Sequence, residues 1–220
     1  MKPLLLVNFK LYSAMLGEKG VRFLRGLATI RSSWTIAAAP SMLLLGKVSP
    51  LKGISLFAQH VDPIMEGPFT GHISVLELEQ GGVRGVILNH SERRISLPVL
   101  AETVRLCTKA RLVTVVCAST SAEAQRIARL RPSYIAYEPP ELIGGKRSVI
   151  EVESQKLRTV VQLVKKKSHS ATQVLCGAGI HSRHDVQEAL RLGMAGVLVS
   201  HAVCGAKDPV KKEKELIGLR

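Results

Sequence analysis

Leu4-Leu5-Leu6-Val7-Asn8-Phe9-Lys10-Leu11-Tyr12 opens the chain with an apolar run that ends on polar residues and reaches no glycine. A doubly wound open sheet that binds a dinucleotide needs glycines directly after its first strand, so that backbone can approach a pyrophosphate. Their absence weighs against that architecture, and the rest of the chain supplies the alternative. Similar runs recur at Thr35-Ala39, Ser55-Ala58, Gly85-Leu88, Val113-Cys117, Tyr134-Tyr137, Gln173-Cys176 and Ala195-Val199, with Leu4-Phe9 as the first. They are apolar nearly throughout, as strands are when both sheet faces are covered, and this is the condition of a parallel sheet. Amphipathic stretches lie between them. In Leu97-Ala110, Val99, Leu100, Val104, Leu106 and Cys107 recur at helical spacing, and in Glu151-Lys167 so do Val152, Leu157, Val160, Val161 and Val164. Eight alternating units predict a (β/α)8 barrel forming one domain over residues 1–220. That fold usually takes about 250 residues, so several helices have to be short, Ser41-Ser49 most plainly.

Composition narrows the function. Of 220 residues, 46% are hydrophobic, enough for a large core, and no Pro/Ser/Gly-rich stretch is long enough to be a linker. The longest apolar runs, Leu4-Val7 and Val113-Ala118, are too short to span a bilayer, and Lys2-Pro3 precedes no cleavage-type signal, so the expectation is a cytoplasmic protein. Cys107, Cys117, Cys176 and Cys204 are widely separated, which argues for reduced, buried thiols and against a disulfide framework or zinc site. The histidines show no metal-ligand spacing, so no metal is expected. A formal charge of +14 is the compositional outlier and suits either anionic small molecules or nucleic acid. Lys165-Lys166-Lys167 closes a helical segment, where cations complement the macrodipole, and the tail Lys211-Lys212-Glu213-Lys214 is broken by acid. With aromatics at 4%, too few for base stacking, the reading favours a small anion over nucleic acid.

Barrel enzymes carry their chemistry at the C-terminal ends of the strands, and polar residues collect there in this chain. Asn8 and Lys10 end the first run, Gln59 and His60 the third, Asn89 and His90 the fourth, Glu138 the sixth, Gly177-Ala178-Gly179 the seventh, and Ser200-His201 the eighth. Glu138 is followed by Pro139-Pro140-Glu141-Leu142-Ile143-Gly144-Gly145, a carboxylate before two helix- and strand-stopping prolines and two permissive glycines. Alone, that run fits a plain turn as well as a base at the root of a moving loop. Lys10 fits either a side chain snorkelling to water or one facing substrate. His90 fits either a satisfied core histidine or a neutral imidazole, held so by the dipole of a helix that Ser91 caps near Glu92. The glycines of Cys176-Gly177-Ala178-Gly179-Ile180, read as opening a helix, allow backbone N–H groups close to an anion, and the loops after strands seven and eight are the usual phosphate site of this architecture.

Taken together, these residues resemble the triosephosphate isomerase family, in its short archaeal-type form. Asn8-Phe9-Lys10, Leu88-Asn89-His90-Ser91-Glu92-Arg93, Glu138-Pro139-Pro140-Glu141-Leu142-Ile143-Gly144 and Cys176-Gly177-Ala178-Gly179-Ile180 match that form in order and approximate spacing. So do Phe57-Ala58-Gln59-His60 and Thr70-Gly71-His72, and the match extends to Ala206-Lys207-Asp208-Pro209. The resemblance implies interconversion of dihydroxyacetone phosphate and glyceraldehyde 3-phosphate by proton transfer through an enediolate, with no cofactor. It implies that Glu138 is the base, that neutral His90 shuttles protons between the oxygens, that Lys10 stabilises the enediolate and that Asn8 orients substrate. This division of labour is the family's established one. It also implies that Glu92 pairs with Lys10 in the empty site, and that Asn8, Lys10, Ile143, Gly144, Gly179, Ser200 and His201 surround the substrate and its phosphate under a lid from Pro139 to about Lys146. The Thr70-Gly71 segment resembles the loop by which family members interlock, implying a homo-oligomer, a dimer or the tetramer of the short form.

Two departures stand out. His201 occupies a place where the family usually has a small residue, and its side chain could crowd the phosphate. Gly145-Lys146 stands at the far lid hinge where the short form commonly has Thr-Gly. Two rivals remain open at this point: another phosphosugar aldose–ketose isomerase, and a non-catalytic basic barrel that binds nucleic acid or scaffolds a complex.

Overall fold

The computed structural model describes residues 2–139 and 149–219, with side chains 149–153 outside that description. Its strands are β1 (Leu4–Asn8), β2 (Thr35–Ala39), β3 (Ser55–Ala58), β4 (Gly85–Leu88), β5 (Val113–Ala118), β6 (Tyr134–Tyr137), β7 (Gln173–Cys176) and β8 (Gly196–Val199). They are all parallel and close in sequence order, β8 pairing back onto β1 with Leu4 opposite Gly196 and Val7 opposite Val199. The helices are α1 (Gly17–Ala28), α2 (Met42–Val48), α3 (Val75–Gln80), α4 (Leu97–Lys109), α5 (Ser121–Ala128), α6 (Val149–Lys167), α7 (Arg183–Arg191), α8 (His201–Cys204) and α9 (Pro209–Leu216). The expected economy in helix is real: α2 has 7 residues, α3 has 6 and α8 only 4.

Strand period decides which residues reach the site. Side chains two apart share a sheet face. Leu4, Leu6, Ala37, Ala39, Phe57, Ile87, Val115, Cys117, Ala136, Leu175 and Leu198 fill the barrel interior as one cluster, whereas the alternate residues Leu5, Val7, Ile135 and Val174 pack under the helices. One more step of two beyond Leu6, Ala136, Leu175 and Leu198 arrives at Asn8, Glu138, Gly177 and Ser200 on the interior side of the upper rim. Burial of the interior layer thus fixes the orientation of these four positions before any polar contact is made.

The fold corrects two local expectations. No helix starts near Glu92: the Arg93 N–H bonds back to the His90 carbonyl at 2.8 Å in a turn, and α4 begins at Leu97 after Ser96, with Pro98 in its first turn. Pro98 makes the later start understandable, because proline is pre-organised for the first helical turn and disfavours helix before it. Likewise Gly177-Ala178-Gly179 does not open a helix directly. α7 begins at Arg183, where Ser182 and Asp185 form a reciprocal capping box that satisfies its first amides. The intervening residues form a loop free to curve around a ligand. Among the described residues, no helix is long and apolar enough to cross a membrane.

Candidate active site

A cleft of about 120 Å³ opens at the upper rim and is lined by Asn8, Lys10, His90, Glu138, the loop from Gly177 to His181, and Ser200 to Ala202. Most of the residues proposed from sequence therefore meet in one place. Ile143 and Gly144, with the hinge residues Pro140, Gly145 and Lys146, lie outside the described residues.

Asn8 is buried and anchored from two directions. Its side-chain oxygen accepts the Lys10 N–H at 3.0 Å, and its carbonyl accepts the Ser200 hydroxyl at 2.7 Å, tying the β1 rim to the β8 rim. The first bond stabilises Lys10 in the left-handed region, φ 47°, a conformation unusual for a residue with a Cβ. From there Lys10 turns inward: its ammonium donates to Glu92 Oε1 at 2.6 Å, and its carbonyl receives the Gln59 amide at 3.0 Å. Glu92 is exposed, so this ion pair holds the ammonium in place at little cost to exchange for an anionic ligand.

His90 is kept neutral by burial, which pushes its pKa down, with Glu92 opposing and Lys10 and Arg94 reinforcing. The expected helix dipole has no part in it. The Glu92 N–H donates to Nδ1 at 3.2 Å, which places the proton of the neutral ring on Nε2, and Nε2 faces Glu138 Oε1 at 3.9 Å. That separation is too long for a hydrogen bond. The site therefore sets a donor and a carboxylate side by side without locking them to each other.

Glu138 is 4% exposed, and its Oε2 has no hydrogen-bond partner among the described residues. Burial raises its pKa to about 7, against the downward pull of the Cys117 thiol, Lys10 and Arg94. Its backbone is fixed by a bond from its N–H to the Ala118 carbonyl at 2.8 Å. Its side chain leans on Gly177, where an added Cβ would stand 2.4 Å from Glu138 Cγ. Gly177 thus serves the carboxylate, a role that its glycine spacing alone does not reveal. Gly179 is in the left-handed region at φ 66°, and its amide makes no hydrogen bond among the described residues, which leaves a donor free at the rim.

Two polar residues at strand ends turn out to be scaffolding. Asn89, φ 56°, donates to the Cys117 carbonyl and to Glu123 Oε1, both at 3.0 Å, and accepts from the Ile95 N–H at 3.2 Å. It joins the Arg94–Glu123 ion pair in bracing the turn that carries His90. His60 bonds Asp62 at 3.2 Å, and Asp62 in turn accepts the Ile73 N–H, closing the base of the exposed loop that holds Thr70 and Gly71. His201 lines the cleft but is exposed, its ring 5.9 Å from Tyr12 and folded back over Gly205. All four cysteines are free and buried, as expected.

Comparison with known proteins agrees with this geometry. The family model described as triosephosphate isomerase matches residues 3–214. The triosephosphate isomerase of Thermoplasma volcanium is 37% identical over 96% of this chain and 98% of its own length. That of Methanocaldococcus jannaschii is 35% identical over 97% and 98%, and that of Pyrobaculum calidifontis 38% over 97% and 94%. The crystal structure of triosephosphate isomerase from Bartonella henselae superposes with a TM-score of 0.75 over 97% of this chain and 98% of that one, at 22% identity, a likeness of fold. With strand-end residues converging on one cleft and full-length relatives agreeing, the chain belongs to the triosephosphate isomerase family.

Proposed function

We propose that Glu138, His90, Lys10 and Asn8 carry out the interconversion of dihydroxyacetone phosphate and D-glyceraldehyde 3-phosphate, an isomerisation of ketose and aldose phosphates. The observation that carries these roles is the buried, incompletely paired Glu138 beside the Nε2 of a neutral imidazole. Its pKa, raised to about 7, gives a base strong enough to take a proton next to a carbonyl yet substantially ionised at neutral pH. His90 Nε2–H donates to the substrate oxygens, and the Lys10 ammonium, released from Glu92, stabilises the enediolate. Asn8 orients the substrate. The free Gly179 amide and the rim at Ser200 and His201 receive the phosphate, completed by Ile143 and Gly144 of the lid.

The protein acts in glycolysis and gluconeogenesis in the cytoplasm as a homo-oligomer, dimer or tetramer. The exposed Phe69 next to Thr70-Gly71, together with Leu11 at 71% exposure, supports the self-association.

A coupled assay with dihydroxyacetone phosphate tests the roles. Glu138→Gln is expected to lose about 10²–10⁴-fold in kcat. In the intact protein kcat/KM should fall tenfold per unit as pH drops through about 7, because protonation removes the base. The phosphate of the substrate titrates about a unit lower, near 6, which separates the two limbs. Glu138→Gln activity within tenfold of the intact protein would remove the proposed base.

A further inference from the structure

We propose that the end of the barrel opposite the cleft is a second binding face, one that takes double-stranded nucleic acid through its phosphates. In chain order the cations look scattered. The barrel gathers them, because every segment leading into a strand emerges at the same end. β1 is entered past Lys2, β2 past Arg31, β3 past Lys52 and β4 past Arg84, all exposed and without a carboxylate partner among the described residues. Arg111 precedes β5, Arg131 precedes β6, and the run Lys165 to His169 precedes β7. These entries are neighbours in space. The Thr35 N–H bonds to the Pro3 carbonyl at 2.8 Å, that of Val113 to Arg84 at 3.0 Å, and that of Gln173 to Ser133 at 3.1 Å. Against this ring stand Glu79 at the end of α3 and Glu188, itself paired with Arg191 at 2.6 Å.

Helix dipoles explain Lys109 and Lys165 to Lys167, which lie in last helical turns. They do not explain Arg31, Lys52 and Arg84, which come three or more residues after α1, α2 and α3 end, where the dipole has faded. Nor do they explain the backbone. Arg111, Arg131 and His169 have φ of 57°, 53° and 53°, the left-handed region after a helix that glycine or asparagine usually fills. Cationic or imidazole side chains occupy these strained positions where glycine would be easier. Substrate steering is a weak reason for the ring. β1 spans five residues, about 16 Å at roughly 3.3 Å each, and that exceeds the screening length of about 8 Å at physiological salt.

The chemistry of the face favours a duplex. The exposed large apolar residues, Leu11, Leu16, Leu43, Phe69, Leu97 and Val99, all lie outside these entry segments, so the face lacks the apolar groups that enter a bilayer. Its aromatics, Trp34 before β2 and Tyr134 at the start of β6, are half-buried and packed against the core, so among the described residues a single strand finds no fully exposed ring on which to stack. A ring of exposed lysine and arginine without either suits evenly spaced phosphates, bound without sequence preference.

Fluorescence anisotropy with a labelled mixed-sequence 24-base-pair DNA duplex tests this. The expected result is binding at 50 mM salt that weakens at least 100-fold by 200 mM. The variant Arg84→Ser/Arg111→Gly/Arg131→Gly should weaken binding at least tenfold and flatten the salt slope by about 0.9 for each phosphate no longer neutralised. Two of its changes place glycine where the backbone already favours it, so the fold should survive, and unaltered isomerase activity is the check. Binding should be insensitive to saturating dihydroxyacetone phosphate, which occupies the other end. The proposal is overturned by absence of binding at 50 mM salt, by equal affinity in the variant, by competition from the substrate, or by preference for phosphatidylserine vesicles over duplex.

Discussion

Replacing Gly177 with alanine asks whether the carboxylate is held by packing. The new Cβ would stand 2.4 Å from Glu138 Cγ and 3.1 Å from its Oε1. Carbon atoms rest at about 3.5–4.0 Å, so Glu138 has to retreat by roughly 1 Å or swing to another rotamer. It is buried apart from its edge on the cleft, and its N–H is fixed on Ala118, so the displacement falls on the carboxyl group itself. A misplacement of about 1 Å in a reacting group costs on the order of 100-fold, close to 3 kcal/mol in the barrier. Gly177→Ala is therefore expected to lower kcat about 100-fold in the coupled assay with KM changed less than about threefold, since the proposed phosphate contacts are at Gly179, Ser200 and His201. Urea unfolding should show a much smaller loss of stability, because the clash is relieved by one side chain. A kcat within threefold of the intact protein would refute the packing argument. So would a loss confined to KM, which would move Gly177 to substrate binding.

Two further outcomes follow from the same structure. Glu213 is fully buried in α9, neither oxygen has a partner among the described residues, and burial raises its pKa from 4.5 to about 8. A raised acid keeps its proton in the folded state, so its stabilising contribution is whole below pH 4.5 and is lost as pH rises to about 8. Glu213→Gln removes that loss: paired urea titrations should show a gain under about 1 kcal/mol at pH 5, about 3 at pH 7 and about 5 at pH 9, and a difference independent of pH would contradict this. His201→Ala should change KM for dihydroxyacetone phosphate less than threefold, since the ring lies over Gly205 and beside Tyr12; a tenfold rise in KM, read in the same assay, would make the side chain a phosphate ligand.

The barrel itself was legible because burial on both faces leaves a mark in sequence. Eight apolar runs, alternating with helical periodicity, mark strands that match the observed ones to within a residue at each end. Capping was less legible. Ser91 before Glu92 has the pattern of a helix cap, but Pro98 and the His90–Arg93 turn move the helix start to Leu97, so the neutrality of His90 comes from burial. Asn89 and Asn8 look alike in sequence, each closing an apolar run. Only packing separates them: Asn8 supports Lys10 at the cleft, while Asn89 braces Glu123 and Cys117 behind it.

The sequence by itself determined the barrel and the family and singled out the residues proposed to carry the chemistry, because strand period and local motif are properties of neighbours along the chain. The tertiary structure decided what neighbours along the chain cannot. It brought Gly177 against Glu138 and joined Ser200 to Asn8 across the seam of the barrel. It also collected cations scattered over the whole sequence at one end. Each of these depends on segments far apart in the chain being closed into a ring, and hydrophobic burial of the strands and helices is what closes it.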